Sequence, residues 1–555
     1  MKTIFTVLLL VATAVLCVAP GQLRGQTPDT VMVGASPVGN INNYITGDTT
    51  ATGARVNPNR VYELYRDSIY YFTGQINANF SLAIIAESKS QATGPGALPV
   101  IAPAILSDNS SPTTFIRMTY GNLTLERLYL LGIRPDQQSV SKGLCIIVTG
   151  DSDAVFKVDS CAFDGWSSRA ILDHGKWDSY YITNCLFRNL ENPTGWYLGQ
   201  GLETSTSVPT DTIMMVNNTM LCNNSYQLAE IYYNKYTLFE HNTIFLTVET
   251  PLYIPQLVNG DIKDNIFYGT LAACTTRLER AGALNQNPSP VAFDTLFNVG
   301  TDFSLTEADR HINVIDNDYY WPQRLQTFYA TPLMDTLIAP AWMNTQDSLM
   351  FSDSEKTVWP HLVQQGNVNA DPEFPSVVSG QVDSLIKYIT LIWTKGLRSY
   401  LWYYNPNGGL YPPVWPAPEN LTYTNSALMH AAEGGFPVGD LNWFPAEKAA
   451  WLAAGGVNAI KENTPKAPTK FNLTQNYPNP FNPSTTIRVD LARSGLVSLK
   501  VYNVLGQLVK VVDQGYKAAG EYNYNVNMDK FASGVYFYIL QEGSNFMAKK
   551  MVLLK

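Results

Sequence analysis

FKVDSCAF, at residues 156–163, recurs in altered form four times further along the chain, as YITNCLF (181–187), MVNNTML (215–221), FEHNTIF (239–245) and IKDNIF (262–267). A weaker copy, LTLERLYL (123–130), precedes it. In each of the five strings, alternating apolar and polar residues lead to a small polar residue, and a large apolar residue follows three positions later. The small polar residues are Ser160, Asn184, Asn218, Asn242 and Asp264. Successive copies are 22 to 34 residues apart.

Alternation with a period of two is typical of β-strands, and Asn or Asp at its end tolerates a tight, left-handed bend. A unit of this length does not bury its own apolar face, so the copies must stack on one another. The repeat therefore predicts an all-β fold, a right-handed parallel β-helix in which each copy belongs to one coil.

The first 26 residues predict a secretory signal peptide. One basic residue is followed by the apolar run IFTVLLLVATAVLCVA, and then by small and polar residues. This run is too short and too early for a stable membrane span, and no other stretch has the length and hydropathy to cross a bilayer. We therefore expect no transmembrane span in the mature protein.

The β-helix is predicted to occupy residues 27–445, with an irregular, partly helical portion from about 300 to 445. Apolar residues from Val382 to Trp393 lie on one side of a predicted helix that Gly396 ends. We expect this helix to cover the open end or the flank of the solenoid, because an uncovered terminal coil favours aggregation. Residues 446–469 are predicted to contain a short helix followed by a polar, proline-containing linker.

The composition fits an extracellular β-rich protein. Aromatic residues make up 12% of the chain and charged residues only 15%. The net charge is −9, and most of the negative charge lies between residues 27 and 469. Nucleic-acid binding requires a basic face, so the sequence argues against a nucleic-acid partner.

Two cysteines occupy equivalent positions in successive copies. Cys161 and Cys185 should lie on neighbouring coils about 4.8 Å apart, within reach of a disulfide. The alternative is a stack of buried thiols, which we favour because an odd number of cysteines follows the signal peptide. No C-x-x-C, C-x-x-C-H or H-x-x-x-H spacing occurs, so the sequence contains no zinc, haem or redox motif.

The chain changes character at residue 470. Short alternating strings separated by turn residues predict a small C-terminal β-sandwich over residues 470–555. The motifs NYPNPFNPSTTI (476–487), VYNVLGQLV (501–509), SGVYFY (533–538) and KKMVLLK (549–555) closely resemble the type A C-terminal sorting domain of the type IX (Por) secretion system.

This resemblance implies a route of export from the cell, but it does not imply an enzymatic or binding activity. It implies that the signal peptide directs the chain across the inner membrane, and that the C-terminal domain engages the type IX machinery for passage across the outer membrane. The expected location is extracellular or on the outer cell surface, and in the family the domain is often removed afterwards. Unrelated cargo carries the same tag, so the resemblance leaves the function of the solenoid open.

The solenoid resembles right-handed parallel β-helix proteins of the pectate-lyase type, a group that includes lyases, hydrolases, adhesins and phage tailspikes. In the lyases, carboxylates on one sheet hold calcium and a nearby Arg or Lys is the base. An inverting hydrolase instead uses carboxylates on either side of the sugar. Calcium is therefore expected only if the protein is a lyase.

The string RAILDHGKWDSYY (169–181) contains the candidate catalytic residues. Asp173 and Asp178 are candidate cation ligands or acid/base carboxylates, and Lys176 or Arg169 is the candidate base. The alternative is a solvated turn with local ion pairs, which we favour because no family motif marks the site.

A binding cleft is the second hypothesis for the same region. Two longer inserts, residues 137–154 and 191–210, flank this coil and would form walls roughly 10 Å apart if they left the solenoid at equivalent corners. The candidate sugar-stacking residues are Trp166, Trp177, Trp196 and Tyr197.

Two functions follow. One is a secreted or cell-surface protein that binds glycan or envelope material without chemistry. The other is a polysaccharide lyase or glycoside hydrolase that acts on an extracellular polysaccharide.

Overall fold

The computed structural model describes residues 29–50, 55–57, 59–88, 96–150, 153–192, 198–272, 289–296, 298–331, 340–396, 400–457, 471–491, 495–517, 520–542 and 545–555. The chain divides into two compact units, residues 1–458 and 459–555.

The first unit is a solenoid of three parallel sheets. The eleven-stranded sheet consists, in spatial order, of Thr30–Val33 (β1), Val61–Leu64 (β2), Leu82–Ala86 (β5), Leu123–Glu126 (β8), Val155–Asp159 (β11), Ser179–Thr183 (β14), Thr210–Val216 (β17), Asn234–Glu240 (β20), Asn259–Lys263 (β23), His311–Ile315 (β26) and Leu362–Gln365 (β28). Each strand pairs in parallel with the strand of the next coil, as Phe156 does with Tyr180.

The nine-stranded sheet follows the eleven-stranded one in each coil. Its strands are Ile69–Phe72 (β3), Val100–Pro103 (β6), Tyr129–Leu131 (β9), Ala162–Asp164 (β12), Leu186–Arg188 (β15), Thr219–Asn223 (β18), Thr243–Thr247 (β21), Ile266–Tyr268 (β24) and Asp318–Tyr320 (β27).

An eight-stranded sheet completes the coil. Its strands are Ile76–Asn79 (β4), Thr114–Tyr120 (β7), Leu144–Val148 (β10), Arg169–Asp173 (β13), Gln200–Glu203 (β16), Leu228–Ala229 (β19), Leu252–Tyr253 (β22) and Val291–Ala292 (β25). The predicted parallel β-helix is confirmed.

The bend between the eleven- and nine-stranded sheets explains the repeated strings. One residue per coil has a left-handed backbone there, with φ between 51° and 61° at Ser160, Asn184, Asn217, His241 and Asp264. The next position forms a ladder of buried amides in which each Nδ2 donates to the Oδ1 of the following coil at 2.9–3.1 Å. The members are Asn218, Asn242, Asn265, Asn317 and Asn367.

The alignment of the copies needs one correction. Asn218 and Asn242 lie one position after the left-handed residue, whereas Ser160, Asn184 and Asp264 are themselves left-handed. Met220 and Ile244 consequently point into the solenoid, while Leu221 and Phe245 point outward into a second apolar cluster. Both faces of these strands are covered, so the polar alternation that would reveal the register is lost.

The interior is filled by stacked side chains. Phe163 lies on Phe187 with ring centroids 4.9 Å apart, and Phe156 lies on Tyr180 at 4.8 Å. Cys161 and Cys185 are free, buried thiols rather than a disulfide. Burial raises the pKa of both thiols, so they behave as small apolar residues.

Short helices lie at the ends and on the flank of the solenoid: Asn40–Thr46 (α1), Asn298–Phe303 (α2), Gln323–Tyr329 (α3), Thr345–Phe351 (α4), Ser376–Ser379 (α5), Gln381–Lys395 (α6) and Pro445–Ala453 (α7). The α6 helix ends at Gly396, whose φ of 62° is left-handed, as the sequence predicts. Its Leu385 and Ile389 pack in the outer cluster with Phe245, so α6 covers the flank.

Residues 400–457, here called the return segment, run along the outside of the solenoid. The buried Arg188 guanidinium joins Asp164 at 3.3 Å to Glu419 of the return segment at 3.2 Å. The backbone N–H of Tyr404 donates to Asn189 Oδ1 at 2.7 Å. The irregular part of the chain is therefore fixed to the coils by buried polar contacts.

Buried carboxyl groups predict how stability depends on pH. Asp318 is fully buried, and its Oδ1 accepts from the Ala370 N–H at 2.9 Å. Burial, together with the nearby charge of Asp371, raises the pKa of Asp318 to about 8. Between its unfolded pKa of about 4 and its folded pKa, the folded chain binds more protons than the unfolded one. Stability should therefore fall as pH rises across this window, by up to about 1.4 kcal/mol per pH unit for each such group.

We expect Asp318→Asn to flatten this pH dependence. Urea unfolding of the wild type and the variant at pH 5 and pH 8 measures the effect, and the exposed Asp383→Asn is the control. Burial also raises the pKa of Glu230 and Asp347 to about 7, so part of the slope should remain in the variant. An unchanged slope in Asp318→Asn would contradict the prediction.

The second unit contains two antiparallel sheets. Asn472–Leu473 (β29), Ser484–Leu491 (β30) and Gly520–Asn527 (β33) form the smaller one. Gly495–Asn503 (β31), Leu508–Lys517 (β32), Gly534–Glu542 (β34) and Asn545–Leu553 (β35) form the larger one. Residues of both sheets share one apolar cluster, as in a β-sandwich. The Tyr538 hydroxyl accepts from the Asn476 N–H at 2.8 Å, which fixes the segment before β30.

Candidate functional site

The two predicted carboxylates face inward. Asp173 ends β13 and Asp178 precedes β14, and both side chains are fully buried. Asp173 Oδ1 accepts from the Gly175 N–H at 2.7 Å, and Asp178 Oδ1 accepts from the Ala154 N–H at 2.9 Å. Burial raises the pKa of Asp173 to about 7. The carboxylate oxygens of Asp173 and Asp178 stabilise the turn at 174–178 through these hydrogen bonds. They are not accessible to a ligand on the outer surface.

The predicted bases do not join them. Arg169 makes a bidentate pair with Glu203, with Nε–Oε2 and Nη2–Oε1 distances of 2.8 and 3.1 Å. Lys176 is exposed on the turn. The four charged residues of the predicted site therefore do not converge on one point.

The candidate stacking residues are also separated. Trp166 is 1% exposed, and its indole N–H donates to the Leu130 carbonyl at 2.9 Å, so neither ring face is available. Trp177 is half-buried against Tyr233 and Phe303, with the Lys235 Nζ 4.7 Å from its ring centroid. Trp196 and Tyr197 lie outside the described residues.

Each of the two expected cleft walls contributes one strand to a sheet. The insert at 137–154 contains β10, and the insert at 191–210 contains β16. Both pair in parallel with β13, one on each side. The described parts of the inserts therefore continue the eight-stranded sheet on either side of β13. Residues 151–152 and 193–197 of the inserts lie outside the described residues, so the two-walled cleft stays a prediction.

A pocket is present elsewhere, on the outer face of the eleven-stranded sheet. Its volume is about 460 Å³, and it lies between β20, β23 and residues 433–457 of the return segment. Strand alternation turns the side chains of the sheet outward at this point, and the return segment supplies the opposite wall. The main lining residues are Tyr236, Leu238, Glu240, Asp261, Lys263, Glu433, Phe436 and Trp451.

One wall of the pocket is apolar. Leu238 and Trp451 belong to one buried cluster, against which Phe436 packs. Gly456 passes directly over the indole of Trp451, where a β-carbon would lie 2.2 Å from the ring. Glycine at 456 therefore allows the chain to close the pocket beside α7.

The floor is charged. Lys263 Nζ lies 2.6 Å from Glu433 Oε2 and 3.2 Å from Glu240 Oε1. Burial lowers the pKa of Lys263, but the Glu433 hydrogen bond and the Glu240 charge together raise it above its ordinary value. Burial raises the pKa of Glu240, and Lys263 opposes that shift. Lys263 is therefore an ammonium at neutral pH and a poor candidate for a general base.

Asp261 and Tyr236 complete the polar lining. The Tyr236 hydroxyl donates to Asp261 Oδ2, and Asn313 Nδ2 donates to Oδ1 of the same carboxylate at 2.6 Å. Burial and the hydrogen bond to Asp261 raise the pKa of Tyr236, so its hydroxyl stays neutral. The pocket thus offers carboxylate acceptors, one ammonium and aromatic edges, a set suited to binding hydroxyl-rich molecules.

Comparison with known families bears on the second unit. The family model of the secretion system C-terminal sorting domain matches residues 475–554. These residues are a secretion system sorting domain. The sorting domain implies engagement with the type IX secretion machinery, and secretion or attachment to the cell surface. No curated protein matches the chain.

The family match therefore confirms the C-terminal sorting domain that the sequence predicts. The predicted signal peptide lies outside the described residues and stays a prediction. Within the ranges that the structure describes, no helix combines the length and hydropathy needed to cross a membrane.

Sequence reasoning missed the pocket residues. Glu240 and Lys263 belong to adjacent repeats, but Glu433 and Trp451 come from a segment nearly 200 residues further on that has no repeat pattern. His241 is buried beside them. The available signal was the outward position of Glu240 and Lys263 before the bend, which the misalignment of the MVNNTML and FEHNTIF copies obscured.

Proposed function

We propose that the exported protein binds a neutral polysaccharide of the cell envelope or its surroundings in the outer-face pocket. The observation that carries this proposal is the combination, in one cavity of about 460 Å³, of an apolar aromatic wall with charged hydrogen-bonding groups. Aromatic side chains stack on the apolar faces of sugar rings. In this pocket the half-buried Tyr236 and Phe436 can do so, whereas the Trp451 ring is buried beneath Gly456. Carboxylates accept hydrogen bonds from the sugar hydroxyl groups.

The charge of the pocket favours a neutral ligand. Three carboxylates, those of Glu240, Asp261 and Glu433, line the pocket with one ammonium. Lys263 already contacts two of the three. A uronate polymer would add like charge to this surface and would be repelled.

A hydrolase is the second candidate, because Glu240 and Glu433 place two carboxyl groups in the same pocket. Glycoside hydrolysis needs one protonated and one ionised carboxyl group. Here the Lys263 ammonium makes ion pairs with both carboxyl groups, so the two lie in one ion-paired cluster and are not differentiated into an acid and a base. A lyase would need an uncharged base, which Lys263 does not provide in this arrangement. Binding without cleavage is therefore the better-supported function.

Binding assays test the proposal. The purified full-length chain is titrated with neutral, amino-sugar and uronate polysaccharides, with and without calcium, while reducing ends and unsaturated products are measured. We expect saturable binding of a neutral polymer and no product. Preferred binding of uronates, or release of cleavage products, would refute the proposal.

Glu433→Gln tests the location of binding. The Glu433 side chain is 66% exposed, so the fold should tolerate the change, and loss of a charged acceptor should weaken binding by about tenfold. Glu355→Gln, on an exposed surface outside the pocket, is the control and should bind as the wild type does. Equal affinities for all three proteins would exclude this pocket.

A further inference from the structure

A buried cluster of potential metal ligands lies next to the pocket. His241 and Asp264 occupy the left-handed position of adjacent coils, immediately after Glu240 and Lys263, which pair in register. The ligand atoms of Glu240, His241 and Asp264 lie within 4.8 Å of one another. The side chains of His241 and Asp264 are 0% and 1% exposed.

The contacts of His241 fix the direction of its lone pair. Its Nδ1 lies 3.2 Å from the Gly439 carbonyl of the return segment, and a carbonyl only accepts, so Nδ1 carries the hydrogen. In the neutral ring, Nε2 then presents a lone pair toward Asp264 Oδ2 at 3.9 Å. A histidine that ligates a metal commonly donates its other ring N–H to a carbonyl in this way.

Two buried acceptors therefore face each other without a donor. Among the described residues, neither His241 Nε2 nor Asp264 Oδ2 has a hydrogen-bond partner. The other oxygen, Asp264 Oδ1, accepts from the Glu433 N–H at 2.9 Å, which orients the carboxylate. Buried polar atoms are nearly always satisfied, and a separation of 3.9 Å is too long for a direct hydrogen bond.

We propose that His241 Nε2, Asp264 Oδ2 and the Glu240 carboxylate bind a divalent transition-metal ion of the zinc class. Zinc bonds nitrogen at about 2.0–2.1 Å and carboxylate oxygen at about 2.0–2.2 Å, so one ion spans the gap between the two acceptors. A donor set that mixes imidazole with carboxylates suits zinc and its neighbours, whereas calcium and magnesium prefer oxygen alone.

The charges around the cluster fit a divalent ion. Glu240, Asp264 and Glu433 supply three negative charges, and Lys263, which contacts both glutamates, supplies one positive charge. A divalent ion would balance the remainder and leave the Lys263–Glu433 pair at 2.6 Å intact. Because Gly439 and Glu433 hold the ligands in place, the ion would fasten the return segment to the β20 and β23 coils.

Metal binding to the full-length chain tests the proposal. The chain is treated with a chelator, dialysed, and titrated with Zn²⁺ by calorimetry, and Co²⁺ is added separately to read its visible absorption. We expect one tight site per chain, a raised melting temperature with Zn²⁺, and a Co²⁺ spectrum that includes a nitrogen ligand. A folded wild-type chain that binds no stoichiometric zinc would overturn the proposal.

Variants locate the site. His241→Asn introduces asparagine, the residue found at the same left-handed position in two other coils, as Asn184 and Asn217. Asp264→Asn keeps a side-chain oxygen that accepts from the Glu433 N–H. Each should weaken zinc binding at least tenfold. Asp316→Asn, at the equivalent position of the next coil, is the matched control and should bind normally.

A surface pair of histidines needs its own control. The rings of His311 and His361 stack at 4.2 Å and could bind zinc by themselves. Binding lost in His361→Ala but retained in His241→Asn would overturn the assignment. If a variant in the cluster fails to fold, as judged by circular dichroism, the wild-type stoichiometry and the His361→Ala result still decide the question.

Discussion

A chain that ends at Thr469 is expected to be absent from the cell surface and the medium, and to accumulate in the periplasm. The deletion removes the whole sorting domain, matched over residues 475–554, and leaves the predicted signal peptide in place. Transport across the inner membrane should therefore continue, while transport across the outer membrane stops. Cell fractionation with surface protease treatment measures the effect, which we expect to be nearly complete.

The solenoid itself should be unaffected by this deletion. Each unit has its own apolar clusters, and that of the second unit is built from residues 471–553. Circular dichroism and thermal unfolding of the truncated chain provide the control for folding. As a converse test, residues 459–555 fused to an unrelated periplasmic protein should deliver it to the surface. Normal surface levels of the truncated chain would show that the sorting domain is not required.

The fold was accessible from sequence because the solenoid repeats a local pattern. Each coil must bend at the same place, so the left-handed residue and the amide ladder recur, and stacking then follows from the need to cover apolar faces. The sorting domain was accessible because its motifs are specific. The register of the MVNNTML and FEHNTIF copies could not be predicted from the sequence. The return segment buries the outer faces of Leu221 and Phe245, so both sides of these strands are apolar.

The candidate site depended on contacts that sequence spacing does not encode. The charged residues of 169–181 are close in the chain, but the turn directs Asp173 and Asp178 inward and Lys176 outward. The pocket instead combines β20 and β23 with the return segment, whose path is set by single buried contacts such as Arg188–Glu419. Nothing in the local pattern around residue 433 or 451 indicates which coil it will meet.

Phe187→Ala is expected to destabilise the solenoid by about 3–5 kcal/mol, the range typical of removing a large buried ring. Phe187 is fully buried, stacks on Phe163 at 4.9 Å, and pairs in register with Met220 of the next coil. The cavity would thus lie between neighbouring coils that are already held in place by their hydrogen bonds, and it would not readily collapse. Urea unfolding followed by tryptophan fluorescence measures the change, since all 11 tryptophans precede residue 459.

Leu186→Ala is the matched control, because it truncates the neighbouring side chain on the opposite face of β15. Leu186 is half-buried and packs against the outer surface of the nine-stranded sheet. Its loss should cost about 1 kcal/mol, since less apolar area returns to water and solvent can fill the space. A larger effect for Leu186→Ala than for Phe187→Ala would mean that β15 is displaced by one residue, because such a shift exchanges the inner and outer faces of a strand.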